Sequence, residues 1–594
     1  MNGMNIKRAR TGNVVIRSLV STQIACVLTT IAPQLCNTLN GLIVSTFLGV
    51  DCFKAISAFN PITGMILLMI STACLGPSIQ AGKTYGELNQ RTANRLFTLA
   101  GIISAAISII SALVIFIFRR EIPEVISPDP SISDNLSSFI KFIPLYLILS
   151  AVASLLNAFV TAAGEVKKVS EAVIVSGIVN VLSIFGLIKI FHIGAEAAGI
   201  ALCLSAATNI LFLIPTISGG HFPFHFVSFH SEFLKILKQN ILVWISVNSN
   251  TLATSFIQFS LNIIILHFLP SDGLFAWGIC QIVLCLSFSS AGLSDAYLYV
   301  DSYLTGEGDS IGRLKIAKSF LLETFILTSL IAIIFTIFTD GLAMAFGADS
   351  PELAASVRIP LICVVWYLAS SEILCTFGTF SIQRRPMIKV GYDLVLGITV
   401  PVLAFVFALL SGSNNLWFGL PSTAIVLAAY VAIVSGICCH RDRNLIPYFL
   451  FNRMGDVVNL DISVNYSLDN FQEDMTRIHK FLTICEVGDI LAGKIELCCE
   501  ELIQNMSAKE AKGSTFDLRL SDLEDSVNII VKNVGAPLSP VINKDIVNDF
   551  REKGLIPDEK EISLLCIRQC SSKVVYRYVY GMNVAYLQFD KYPT

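Results

Sequence analysis

The chain has 594 residues, of which 54% are hydrophobic and only 14% charged, with a mean hydropathy of +0.70; soluble domains carry about 25% charged residues. A single soluble globule is therefore excluded, as is a disordered or collagen-like chain. Charge is also unevenly spread: residues 1–440 hold 23 Lys/Arg and 21 Asp/Glu, and residues 441–594 hold 18 and 23, so a membrane part precedes an ordinary soluble domain.

Apolar runs of about 20 residues or more, enough to cross a bilayer, are predicted twelve times: 17–47, 52–82, 94–118, 137–163, 169–190, 196–218, 239–269, 273–303, 314–338, 354–380, 388–411 and 416–439. The first is too long for a signal peptide and stays in the protein. Pro33, Pro61, Pro144, Pro360 and Pro401 fall inside these runs, where each frees a backbone carbonyl and bends a helix. With the N-terminus inside, 17 of the 23 Lys/Arg of the membrane part lie on the cytoplasmic side, among them Lys83, Arg313, Arg384 and Lys389. This positive-inside bias, with an even number of spans, returns the C-terminal domain to the cytoplasm.

The membrane part repeats itself. Gly86-Glu87-Leu88-Asn89 ends the second run and Gly306-Glu307-Gly308-Asp309 ends the eighth, 220 residues later. Asp51 to Ala55 matches Asp272 to Ala276 at 221, and Ile143-Pro144-Leu145 matches Ile359-Pro360-Leu361 at 216. Duplicated six-helix halves of equal sidedness are parallel repeats, which hold a binding site between them. The expected division is 1–218 and 239–440 for the two six-helix bundles, 219–238 for a cytoplasmic linker, and 441–594 for the soluble domain. Gly82-Lys83-Thr84 imitates the end of a phosphate loop, but the required upstream glycine falls on Pro77, so an ATP-binding cassette is not expected.

Leu39-Asn40-Gly41 to Leu48-Gly49, followed by Ala55 and Asn60-Pro61, resembles the signature of the multidrug and toxic compound extrusion (MATE) transporters, whose superfamily includes lipid-linked oligosaccharide flippases. The Gly-Glu ends of the second and eighth spans and the Gly-rich entry to the sixth, Gly194 to Gly199, fit the same pattern, and the resemblance covers roughly residues 14–440. It implies two bundles in a V, a central cavity, and antiport of organic solutes against Na⁺ or H⁺. Where the family has an acidic cation ligand in the first span, this chain has Asn40; in the fifth span Asn180 is present, but the family's Asp four residues on is Ile184. Asn40 and Asn180 can offer carbonyl oxygens to Na⁺, and neither can release a proton.

Intramembrane acid gathers in the second half, at Asp295, Asp301, Glu372 and Asp393. Such carboxylates are costly in lipid, so they face a cavity and mark ion or substrate sites. Asp295 and Glu372 are the deeper pair, and Glu372 has a precedent in family members with a carboxylate in the tenth span. Asp301 and Asp393 fit either a functional or an interfacial role. Asn248, Asn250, Gln258 and Asn262 give the seventh span a polar seam that suits helix–helix hydrogen bonds as well as substrate contact. Eleven of the 16 cysteines lie in apolar stretches, and the other five, Cys485, Cys498, Cys499, Cys566 and Cys570, have no zinc spacing. They read as structural thiols of a reducing compartment.

After Arg443 the pattern predicts helices at 468–483 and 489–506, strands at 515–520 and 526–532, a turn at 535–537, a helical stretch at 561–571 and a hairpin at 573–590, a layered α/β domain. Glu501 and Asn505 share one helix face. With Val531-Lys532-Asn533-Val534-Gly535 and Tyr576 to Asn583, they resemble the boxes of histidine-kinase and anti-sigma-factor ATPases. That resemblance implies Glu501 as catalytic acid/base, Asn505 as Mg²⁺ ligand, Asn533 at the adenine and Gly535 in the tight turn, with ATP-Mg as the ligand. The glycine-rich phosphate grip is replaced by Glu561-Ile562-Ser563-Leu564-Leu565, which cannot easily wrap phosphates.

The expectation is a multi-pass plasma-membrane protein, all-α in its bilayer part, with both termini cytoplasmic. It would be a secondary active exporter of cationic or amphiphilic organic compounds rather than an enzyme, driven by Na⁺ or H⁺. Its cytoplasmic domain would sense nucleotide or a protein partner; no nucleic-acid partner is indicated, since no long basic run exists. The alternatives are a lipid-linked oligosaccharide flippase, which the near absence of Arg/Lys from the spans disfavours, and a membrane sensor with an anti-sigma-like signalling domain.

Overall fold

The computed structural model describes residues 14–126, 130–219, 222–228, 232–269, 272–284, 287–345, 351–452, 458–465, 471–507, 515–535 and 559–591. Packing divides the chain into two units. One holds Thr22–Asp309 and Ile316–Asn452; the other gathers Met1–Ser21, Ser310–Lys315 and Arg453–Thr594.

In the first unit the apolar runs become helices, because only a helix satisfies every backbone group from within its own segment in lipid. The first half comprises α1 (Val14–Phe47), α2 (Val50–Gly86), α3 (Gln90–Ile117), the short α4 (Glu121–Ile126) and α5 (Pro130–Ile140), then α6 (Ile143–Ala162), α7 (Val166–Lys189) and α8 (Glu196–Ser218). The second comprises α9 (Glu232–Phe268), α10 (Asp272–Leu284), α11 (Ser287–Gly306), α12 (Ser310–Ile337), α13 (Thr339–Ala345), α14 (Pro351–Ser381), α15 (Pro386–Ser411) and α16 (Gly419–Arg441). Eleven of the described helices are long and apolar enough to cross a bilayer, where the sequence predicts twelve spans. The difference is the eighth: it is carried by α10 and α11, of which α10 has 13 residues and is too short to cross alone, while α11 is diluted by Asp295 and Asp301. Prolines sit inside α1, α2, α14 and α15 as expected, but Pro144 stands in the first turn of α6, where it bends nothing. Within residues 219–238, α9 begins at Glu232.

The sequence repeat is a repeat of helix stops. Glu87 N donates to Lys83 O, Leu88 N to Tyr85 O and Asn89 N to Thr84 O, and the same three bonds recur from Glu307 to Tyr303, Gly308 to Thr305 and Asp309 to Leu304. Leu88 (φ 60°) and Gly308 (φ 70°) take the left-handed conformation that ends each helix. Asn89 then caps α3 by accepting Thr92 N at 3.1 Å.

Those same ends are where the halves meet. A Cβ on Gly306 would lie 2.0 Å from Lys83 O, and one on Gly86 would lie 2.4 Å from Tyr303 O, so α2 and α11 cross backbone to backbone. Further along, a Cβ on Gly76 would be 2.5 Å from Trp244 Cα in α9, and one on Gly292 would be 2.6 Å from Val27 Cα in α1. Each contact has its mirror: Gly86 and Gly306 are 220 positions apart, Gly76 and Gly292 216, Val27 and Trp244 217. The crossings are thus reciprocal, as a two-fold-related pair of halves requires.

A strap joins the halves on the side of this crossing. Between α8 and α9, Phe222–Ser228 runs extended along α3. His225 N donates to Asn94 Oδ1 at 3.1 Å, Val227 N donates to Thr98 Oγ1 at 3.0 Å, and Gln90 Nε2 donates to Pro223 O. Phe222 and Phe224 are buried among Tyr85, Phe97 and Phe159, and Tyr85 touches Tyr303 across the crossing.

The second unit contains an antiparallel sheet of order β1-β2-β3-β5-β4, built from β1 (Val458–Asn465), β2 (Thr515–Asp522), β3 (Ser526–Val534), β4 (Lys573–Val579) and β5 (Met582–Asp590). Helices α17 (Phe471–Ile484), α18 (Asp489–Ser507) and α19 (Glu559–Cys570) complete it. Alternate residues Leu460-Ile462-Val464, Phe516-Leu518-Leu520, Val527-Ile529-Val531 and Ala585-Leu587-Phe589 form one core with Ile478, Phe481, Ile495 and Ile503 of the helices. The helices and four strands lie where predicted; β1 is additional. Residues 536–537 of the predicted turn lie outside the described residues.

Candidate functional site

The polar side chains of the membrane unit fall into three groups. In the first half, Asn40 of α1 donates from Nδ2 to Asn180 Oδ1 of α7 at 2.5 Å, so the two asparagines singled out in the sequence do meet. Asn40 Oδ1 is buried with no hydrogen-bond partner among the described residues, a carbonyl oxygen able to accept from a donor or to ligate a cation.

The second group lines a cavity of about 210 Å³ between α1, α2, α6 and α7 of the first half and α11 of the second. Its polar wall includes Thr29, Thr30, Ser71, Asn157 and Asp295, with Tyr299 at one edge. Asn157 Oδ1 is buried and unpartnered. Asp295 makes no hydrogen bond or ion pair among the described residues, and its charge is felt by Cys26. An unpaired carboxylate at a spanning depth costs roughly 2.5–3.5 kcal/mol, a cost a bound cation or proton removes. Tyr299 is fixed at 3.1 Å from Ser78 of α2 and donates to Ala158 O at 3.3 Å, so this wall ties the halves together.

The third group lies within the second half. Glu372 of α14 is hydrogen-bonded to Ser290 of α11, on the same helix as Asp295 but not with it. One turn into α15, Lys389 Nζ donates to both oxygens of Asp393 at 2.6 and 2.7 Å, and Ser249 of α9 donates to Asp393 Oδ2. Lys389 is 3% exposed and Asp393 1%. Lys389, counted among the cytoplasmic-side cations, is thus the buried partner of Asp393. Asp301 is also buried. The i,i+4 spacing of Lys389 and Asp393 is the signal that the sequence offered for the pair. Sequence reasoning also passed over Glu323 of α12, which accepts from Gln23 of α1 at 2.5 Å and from Ser319 at 2.6 Å, joining one helix of each half. In the seventh-span seam, Asn262 accepts Trp277 Nε1 at 2.6 Å, a helix–helix bond.

In the C-terminal unit Glu501 is half-buried on α18 beside Cys566 of α19. Asn505 lies on the same helix, its side chain outside the described residues. Asn533 ends β3 opposite Asn583, and Gly535 N donates to Gly581 O at 3.4 Å. The start of α19 carries no glycine, and α19 packs onto α18, Cys498 Sγ donating to Ile567 O at 3.9 Å. All fifteen described cysteines are free thiols. Burial raises the Cys498 and Cys499 thiols and pushes Cys485 up to about 11, which keeps them protonated and unreactive.

The MatE family model matches residues 25–185, the segment that carries Asn40, Gly86, Asn157 and Asn180. No curated protein matches the chain in sequence. Among solved structures, a MOP superfamily transporter from Pyrococcus furiosus superposes with a TM-score of 0.63 at 15% identity, over 73% of this chain and 100% of that one. A Vibrio cholerae MATE transporter gives 0.63 at 14% identity over 73% and 98%, and a MATE in complex with MaL6 gives 0.62 at 15% over 71% and 97%. The chain thus carries a MatE segment in its first half and, across its membrane part, the fold of the MATE transporters.

Proposed function

We propose that the chain is a secondary active exporter of cationic or amphiphilic organic compounds, coupled to Na⁺ or H⁺. On this reading it sits in the plasma membrane with both termini in the cytoplasm. The observation that carries the proposal is the cavity between the halves, with Asp295, unpaired among the described residues, in its wall. A cationic solute would enter with its charge toward Asp295 and its apolar part against Leu75, Val166 and Val169. Rocking of one half against the other about the Gly86–Gly306 crossing would expose the cavity to alternate sides. Glu372 is the acid for the coupling ion, because its hydrogen-bond partner among the described residues is a neutral hydroxyl. Asn40 Oδ1 is a further neutral ligand suited to Na⁺ and not to H⁺. Because Glu561 to Leu565 carries no glycine with which to wrap phosphates, the C-terminal unit is read as a regulatory module that binds a protein partner.

The test is efflux of a fluorescent organic cation from proteoliposomes under imposed Na⁺ or H⁺ gradients. Asp295→Asn is expected to lower apparent substrate affinity about tenfold, the loss of one ionic contact of about 1.4 kcal/mol. Glu372→Gln is expected to abolish the response to the gradient while leaving substrate binding. Transport indifferent to both gradients and both substitutions would overturn the assignment.

A further inference from the structure

The third group contains a cation of its own. Lys389 and Asp393 stand in spanning helix α15, their side chains 4% and 2% exposed, and the ammonium reaches both carboxylate oxygens. Ser249 donates to Asp393 Oδ2 from α9, and Cys375 of α14 is hydrogen-bonded to Lys389. The Tyr392 ring lies 5.9 Å from Nζ and its hydroxyl is engaged by Ser371 O at 2.8 Å. Glu372, one turn before Cys375 on α14, interacts electrostatically with both Lys389 and Asp393. The cluster therefore holds two carboxylates and one ammonium, and the ammonium is spent on Asp393.

An ammonium and a sodium ion satisfy the same requirement, a positive charge among oxygens where water is scarce. A lysine does so permanently, because it is covalently tethered and cannot dissociate. We propose that Lys389 is a resident counter-ion that determines ion choice in this cluster: it closes Asp393 to mobile cations and leaves Glu372 as the acid of the cluster that a transported ion can neutralise. The cluster then moves one charge per cycle instead of two, and without Lys389 the pair Glu372/Asp393 would recruit an inorganic cation. This inference rests on the exporter reading for its significance in transport, but its chemistry is tested by ion binding alone.

The experiment is thermal unfolding of the purified full-length chain in NaCl against choline chloride at equal ionic strength, choline being too large for a buried acid pair. Wild type is expected to show no sodium-dependent shift that depends on Asp393: Asp393→Asn leaves the sodium response as it is in wild type. Lys389→Met is expected to gain a midpoint rise of roughly 2 °C or more in sodium, as binding linkage requires of a newly occupied site. Lys389→Arg, which keeps the charge, should gain none, and Lys389→Met combined with Asp393→Asn should lose the gain. A Lys389→Met chain that unfolds cooperatively and shows no sodium shift overturns the proposal. So does a wild-type sodium shift that Asp393→Asn removes. If Lys389→Met does not fold, the double variant supplies the answer: a folded double variant shows that the bare Asp393 was the fault and supports the charge assignment, whereas an unfolded one shows that Lys389 serves packing and overturns it. Failure of the exporter reading would appear in the efflux assay and leave these shifts unchanged.

Discussion

At the scale of single residues, the repeat exposes an asymmetry that chemistry resolves. Leu88 and Gly308 occupy equivalent helix-ending positions, with φ of 60° and 70° and the same set of backbone bonds around them. A left-handed conformation costs an L-residue with a Cβ roughly 1–2 kcal/mol, and glycine almost nothing. Leu88→Gly is therefore expected to stabilise the chain by about 0.5–1 kcal/mol, after the entropy that glycine adds to the unfolded state. Thermal unfolding of the purified protein would show it as a small upward shift; a downward shift would mean that the leucine side chain contributes packing worth more than the strain. The same comparison explains what a sequence shows and hides. Asn40 and Asn180 are legible as site residues because they fall where the family resemblance places cation ligands. Lys389 was hidden because it lies four and five residues from Arg385 and Arg384, and a count of basic residues cannot tell a solvated end from a buried first turn.

At the scale of elements, the decisive feature is a crossing rather than a helix. Gly86 and Gly306 are reported by the sequence as a repeat, and the repeat implies equivalence; it does not say that the equivalent positions touch. They touch because each glycine removes the one atom that would strike the other helix's carbonyl, at Tyr303 O and Lys83 O. Backbone cannot yield as a flexible side chain would, so Gly306→Ala forces α2 and α11 apart. The expected result is normal insertion with efflux reduced at least tenfold, and faster alkylation of a cysteine placed at Lys83, as the closed crossing opens. Unchanged efflux with unchanged alkylation would show that this crossing is not part of the transport cycle. Two other elements show where sequence reading stops. The strand β1 was legible, since Val458-Asn-Leu-Asp-Ile-Ser-Val-Asn465 alternates strictly, but it stands apart from the run of features after 468 and was passed over. The strap at 222–228 was not legible: its two buried phenylalanines have no period to reveal them, and its backbone is held by side chains of α3, a helix more than a hundred residues earlier.

At the scale of the whole molecule, the question is where the membrane unit ends. Composition changes near residue 440, and the predicted boundary follows it; packing places the end at Asn452. The reason is physical. Leu445 and Leu450 are 2% and 4% exposed and belong to the same core as Trp277, Phe377 and Tyr392. Tyr448 lies with its hydroxyl 2.7 Å from Thr376 Oγ1 and donates to Ile373 O at 3.0 Å, while its N–H donates to Ser435 Oγ at 3.1 Å. Burial pushes its phenol up to about 12, against the pull of the Thr376 hydrogen bond. The segment 442–452 thus folds back as a cover over α14 and α16, its apolar residues Leu445, Ile446 and Tyr448 to Phe451 following the polar Asp442-Arg443-Asn444. Burying two leucines and a hydrogen-bonded tyrosine is worth several kcal/mol at roughly 1.5–3 kcal/mol per large side chain, a large share of the 5–15 kcal/mol that holds a protein folded. Two truncations separate the boundaries. A chain ending at Asn452 keeps every residue of both membrane cores and is expected to unfold cooperatively near the temperature of the membrane transition in the full chain. A chain ending at His440 loses Leu445, Tyr448 and Leu450 and is expected to unfold at least several degrees lower, or to aggregate on extraction. Equal midpoints for the two would mean that the cover contributes nothing and that the change in composition marks the true edge of the membrane unit.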